Sequence, residues 1–330
     1  MNDLREQLNE IISGIDFTAI WPGFMPCAFA LYDDKTVYLR YNEMPWDDRF
    51  AGNTAIMLDG APLAIWHVEN AENVDIERLA TGLVHEMFHA FQKEQGDTRH
   101  PDEFALLAYP QDLDNYRMKL AENHFLANAI TDNSMMDLQQ FVILREARRR
   151  IIGDDAMMQE QYAETNEGMA EYAGLAALIQ IARGKFMKEI QGHMEVLRNP
   201  RYLFDIRFAS YSVGCLICFA LKSLGINFDH DLSDKRTIYE LIPREANEVE
   251  KLFKELQQSK QARFDAFEAK HNNQTEHSAV ITGIDPMNME KLGDKILCRN
   301  FVKLGELYIK GPVMLEMAAG STRKVISYIE

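Results

Sequence analysis

Two periodicities divide the chain. Between residues 24 and 68, apolar residues fall in short runs separated by turn formers. Ala28 to Tyr32 is followed by Asp33-Asp34 and then by Thr36 to Arg40, and Thr54 to Leu58 by Asp59-Gly60 and then by Pro62 to His67. Each pair predicts a β-hairpin, and Asp-Gly is the strongest turn signal. After Asp75 the spacing changes to three and four residues. Ile76, Leu79, Leu83, Val84, Met87, Phe88 and Phe91 predict one helix, with Asp75 as N-cap and Gly96 as its stop. Residues 101–200 read as mostly helical, with helices over 114–130, 134–152 and 154–181 and breaks at Gly153 and Gly184. Tyr211 precedes an apolar helix that ends near Gly225. A charged amphipathic helix over 245–270 then runs into a polar linker, 271–277. From Ser278 strands return, at 279–282, 296–302, 307–309, 313–317 and 324–329. The expected class is α+β: a small N-terminal antiparallel sheet on a mostly helical body, then a small C-terminal β-rich module. The expected domains are 1–272, β-rich over 1–70 and helical over 75–272, and 278–330.

The helix predicted after Asp75 carries His85-Glu86-Met87-Phe88-His89, an HExxH sequence. Residues i and i+4 stack on one helix face about one turn apart, so two imidazoles can grip one metal ion. Glu86 projects to the side, where a general base would meet water. The alternative is a core helix whose histidines are hydrogen-bonded. A metal site needs a further ligand, and spacing limits its source. An HExxHxxGxxH site fails, because Gln92 and Gln95 occupy the added positions. A di-iron bundle uses Glu-x-x-His twice. Glu86 and His89 fit once, and Glu268 and His271 again, but the latter lie at the end of a charged segment. A second helix offers Glu164, Glu167 and Glu171, spaced i, i+3, i+7 on one face. Three carboxylates there repel unless a cation or donors lie opposite; otherwise they form a solvated face. Gly168 would let this helix approach the HExxH helix closely.

Asn166-Glu167-Gly168-Met169-Ala170 resembles the NEGxA stretch of aminopeptidase N-like gluzincins. An Asn-Glu pair with a second acid four residues on is also similar to thermolysin-like enzymes. The resemblance covers these two short motifs, and the long helical stretch between His89 and Glu167 implies a distant relationship. It implies a zincin-like fold and a Zn2+ ion held by His85, His89 and Glu167; Glu164, on the same helix face, is the competing ligand candidate and otherwise stands with Glu171 behind the ligands. It implies Glu86 as general base and Glu171 as the acid that hydrogen-bonds a ligand histidine, a partnership with a physical basis. Gluzincins place a Tyr or His where it stabilises the oxyanion, and Tyr211 is the choice here, with Arg207 and Tyr202 behind it. A donor aimed at an oxyanion is a large catalytic term, while a tyrosine at a helix start also serves packing. The implied activity is zinc-dependent hydrolysis of peptide bonds in a peptide or protein substrate. In a zincin an edge strand pairs with extended substrate, here 54–58 or 62–68. The alternative is a catalytically inactive metal-binding or interaction protein of peptidase ancestry, against which an intact Glu86 argues.

Composition acts by exclusion. The 330 residues carry a formal net charge of −16, which argues against nucleic acid and anionic membrane surfaces as partners. Four cysteines in a chain of this length are no disulfide framework, and Cys215 and Cys218 lie in an apolar helical run that reads as core. The longest apolar run, 211–221, is too short to span a bilayer, and the polar N-terminus does not read as a signal peptide. The expected location is cytoplasmic. Arg145 with Arg148, Arg149 and Arg150 reads as a solvated helix end or a set of salt bridges, Glu122-Asn123-His124 as polar contacts, and His67 as a residue that is not a ligand.

Overall fold

The computed structural model describes residues 1–229, 232–244, 248–271 and 273–330. They form two compact units, Met1–Arg244 and Glu245–Glu330. The chain is α+β, as its periodicities predict, with a helical body and two sheets.

The first unit begins with α1 (Asn2–Ser13) and α2 (Phe17–Ile20). Five strands follow: β1 (Ala28–Tyr32), β2 (Thr36–Tyr38), β3 (Glu43–Pro45), β4 (Thr54–Leu58) and β5 (Ala61–His67). Both expected hairpins form, β1 with β2 and β4 with β5. The sheet is not purely antiparallel, however. β5 lies parallel to β1, Ala28 facing Leu63 and Tyr32 facing His67, and the order is β3-β2-β1-β5-β4. Pairing β5 between β1 and β4 buries Leu63, Ala64 and Ile65, which the alternation of an isolated hairpin does not reveal. It also makes β4, not β5, an edge strand, with β3 at the other edge.

Among the described residues, seven α-helices complete the first unit: α3 (Ile76–Glu94), α4 (Glu103–Leu107), α5 (Leu113–Thr131), α6 (Met135–Ile152), α7 (Asp154–Ile181), α8 (Arg183–Arg198) and α9 (Ile206–Ser223). Asp75 caps α3 by accepting from the Arg78 N–H, and Gly96 adopts φ +74° just past its end. Leu83, Val84, Met87, Phe88 and Phe91 of α3 are all in the main core. The break before α8 falls at Ala182, and Gly184 lies within the first turn of α8. α9 starts before Tyr211, which therefore sits inside the helix. By length and hydropathy α9 could cross a membrane, but two-thirds of it is buried within the protein, as a core helix would be.

Gly168 serves a different contact from the one its place beside Glu167 suggests. A Cβ there would lie 2.3 Å from the Gly214 Cα, so it admits α9. The approach of α7 to α3 runs through Gly174, whose Cβ would meet the Thr81 carbonyl oxygen at 2.9 Å. A Cβ on Gly214 would fall 1.9 Å from the Glu164 carbonyl oxygen, which is backbone and cannot swing aside. Gly214→Ala is therefore expected to destabilise the fold by about 1–3 kcal/mol or more through overpacking, read as a lower midpoint in denaturant unfolding.

The second unit contains α10 (Glu248–Lys270) and the strands β6 (Gln274–Ile284), β7 (Met289–Leu292), β8 (Lys295–Cys298), β9 (Phe301–Leu304), β10 (Leu307–Lys310), β11 (Val313–Met317) and β12 (Lys324–Ile329). They form one sheet in the order β10-β9-β6-β12-β11-β8-β7. The unit boundary lies before α10, not after residue 272. Phe264 and Phe267 of α10 cluster with Leu297 and Met314 of the sheet, so the helix belongs to the β-rich unit. The expected linker 271–277 is largely strand, since β6 starts at Gln274; Asn272 lies outside the described residues. The expected strand 296–302 is two strands broken at Arg299 and Asn300.

Candidate metal centre

α3 and α7 bring His85, His89 and Glu167 together, and this group could hold a metal ion. The His85 and His89 Nε2 atoms are 3.1 Å apart, and Glu167 Oε2 lies 3.1 Å from the second and 3.4 Å from the first. Bonds of about 2.0–2.1 Å in a tetrahedron put neighbouring donor atoms about 3.3 Å apart, so the three sit at separations that one tetrahedral metal ion could bridge. The opposite faces of the rings are already engaged. His85 Nδ1 lies 3.0 Å from Glu171 Oε2, and His89 Nδ1 lies 2.8 Å from Gln92 Oε1. The Gln92 amide nitrogen donates to the Asn166 carbonyl oxygen, so its oxygen faces His89 and accepts. With both Nδ1 atoms donating, two Nε2 lone pairs and a carboxylate oxygen point at one spot, an arrangement that repels unless a cation fills it.

The electrostatics agree. Burial alone would lower the His85 pKa, but the hydrogen bonds to Glu167 and Glu171 override it and push it up to about 10. A proton there answers the same demand for positive charge. Burial would raise Glu167 too, yet the two histidines hold it well below the usual carboxylate range. Glu171 is likewise held down against burial, by hydrogen bonds from His193 and His85. His193 was not legible as a site residue: it stands 3.2 Å from Glu171 Oε1 and 2.9 Å from the Ser212 hydroxyl, contacts that α8 makes to the helices on either side of it in the chain. Arg207 donates to Glu167 Oε1 at 2.7 Å and also pairs with Glu103, leaving Oε2 as the oxygen that faces the histidines.

Glu86 is buried, and burial raises its pKa while His85 and His89 pull it back. It lines two cavities, of about 670 and 400 Å³. Tyr211 lines both as well. Its ring stacks on His85 with centroids 5.8 Å apart and an angle of 11°. Burial, and then the charge of Glu167, push its phenol above the usual value, so it keeps its proton at neutral pH and can donate. Tyr202 contacts Phe208, and it does not line either cavity.

Glu164 is neither a ligand nor a partner of one. It is fully buried one turn before Glu167, where Arg145 of α6 takes both of its oxygens at 2.5 and 3.0 Å. Arg145 also donates to Glu122, Arg148 pairs with Glu122 and Glu160, and Lys119 pairs with Glu160. Three cations thus balance three carboxylates inside the body, and Arg145 and Arg148 are not a solvated helix end. The i, i+3, i+7 face is shared because α6 crosses it at Glu164 while α3 crosses it at Glu167 and Glu171. The second Glu-x-x-His pair is also accounted for elsewhere: Glu268 pairs with Lys295, and His271 stacks on Phe267. Cys215 and Cys218 are buried free thiols in the core. Comparison with protein-family models, with curated proteins and with solved structures finds no match to this chain.

Proposed function

We propose that the chain is a zinc-dependent metallopeptidase, zincin-like in fold and distantly gluzincin-like in its site, acting on a peptide or protein substrate in the cytoplasm. The observation that carries this reading is the convergence of the His85 and His89 Nε2 atoms and one Glu167 oxygen at tetrahedral spacing, beside the uncommitted carboxylate of Glu86 in a cavity wall. Two imidazoles and a carboxylate are a donor set that zinc accepts with a position left open. Zinc held there supplies Lewis acidity, polarising a carbonyl and acidifying water. Glu86 takes the proton of the water that attacks the scissile carbonyl, and it returns that proton to the leaving amine nitrogen as the C–N bond breaks. Tyr211, held in its protonated form, donates to the carbonyl oxygen as charge develops on it. Glu171 and Gln92 fix the two rings from behind, and Arg207 fixes Glu167.

Elemental analysis of the purified protein is expected to give one zinc and no iron per chain. Removing the metal with a chelator abolishes peptide cleavage, and added zinc restores it. His89→Ala loses stoichiometric zinc. Full zinc occupancy in that variant would refute the ligand set.

A further inference from the structure

We infer that the site cleaves internal bonds of an extended chain, as an endopeptidase; this rests on the hydrolytic reading above. Asn53, His85, Glu86 and Tyr211 line both cavities, so His85 and Glu86 stand at a junction with room on either side. A substrate whose scissile bond lies at Glu86 has space for residues before and after that bond. The larger cavity runs along β4, with Thr54 to Met57 in its wall. β4 pairs with β5 alone among the described residues, so its outer edge is open. At about 3.4 Å per residue, a five-residue strand offers about 17 Å of backbone donors and acceptors to a main chain running alongside. Such an edge recognises chain, not chain ends.

An exopeptidase also needs an isolated charge to hold a terminus, and most of the charges lining both cavities sit in ion pairs. In the smaller cavity Arg78 pairs with Glu189, and Glu171 lies between His85 and His193. In the larger cavity Arg207 is shared by Glu103 and Glu167 through Nε and Nη2, and its Nη1 has no hydrogen-bond partner among the described residues. Lys93 and Glu94 also line it, but they are exposed neighbours of opposite sign, so neither sign dominates. The remaining acid is Glu86, which the chemistry uses.

The test uses the full chain with one bound zinc and a peptide library in two forms, one with free termini and one acetylated and amidated, with products identified by mass. Blocking the termini is expected to leave kcat/KM within about tenfold, whereas a site built around a charged terminus rejects a substrate that lacks it by about 10⁴-fold or more. Cleavage of blocked peptides at internal bonds supports the inference. Stepwise trimming of free peptides, with blocked ones inert, overturns it and leaves the hydrolytic reading standing. No cleavage of either form by the zinc-loaded protein overturns both.

Discussion

Glu86→Gln is expected to keep its zinc and lose about 10²- to 10⁴-fold in kcat, the range a positioned general base contributes. Glutamine has nearly the same shape, so the cavity walls stay in place, but its amide cannot accept the proton of the attacking water. Glu86 is not in the group that could hold a metal ion, so metal content is expected to match wild type. Nor should the fold suffer, because burial already disfavours the charge of Glu86 and an amide removes that cost. The loss should therefore appear in kcat with KM little changed, which marks an interaction made in the transition state. Turnover at the wild-type rate would refute the assignment of Glu86, and loss of zinc would mean that this residue touches the metal.

Arg145→Met is expected to destabilise the first unit by about 3–5 kcal/mol, the usual cost of stranding a buried charge by removing its partner. Arg145 is fully buried between Glu122 and Glu164, and with it gone three carboxylates face two cations. The effect reaches the metal centre, because Glu164 lies on the same helix as Glu167 and Glu171. Metal affinity is expected to fall together with the denaturation midpoint. The network also carries a pH dependence. Burial would raise the Glu160 pKa, but Arg148, Lys119 and Arg145 hold it well below the ordinary value. A carboxyl depressed on folding stabilises the native state above its unfolded pKa, about 4.3 for glutamate, and that stability is lost as pH falls below it. The stability that Glu160 contributes should therefore be lost below that point, while burial raises the pKa of its neighbour Glu164 and acts in the opposite sense. The gap between wild type and Arg145→Met should narrow on the same descent, since protonating one carboxylate relieves the excess charge. A variant within 1 kcal/mol of wild type at neutral pH, by the usual scale for exposed pairs, would mean that the network is solvated.

Local chemistry made much of this site legible. The i, i+4 spacing of His85 and His89 is a property of any helix, and the apolar residues around them require a buried one, so α3 follows from nearest-neighbour rules. The two hairpins follow likewise from alternation and an Asp-Gly turn. What local rules missed are contacts between separate elements: the parallel pairing of β5 with β1, the membership of α10 in the C-terminal unit, and His193 behind Glu171. A histidine in a charged amphipathic helix carries no mark of the carboxylate it will meet.

By itself the sequence determined that two imidazoles share one face of α3 with a carboxylate beside them, and that Glu164, Glu167 and Glu171 share one face of α7. Only the tertiary structure decided which carboxylate reaches the imidazoles. The physical reason lies in where neighbouring helices cross α7. Gly214 and Gly168 let α9 in beside Glu164, Arg145 of α6 takes the Glu164 charge, and Gly174 lets α3 in close enough for Glu167 and Glu171 to meet the histidines. A buried carboxylate goes to whichever cation the packing brings to it, and helix periodicity does not encode that choice.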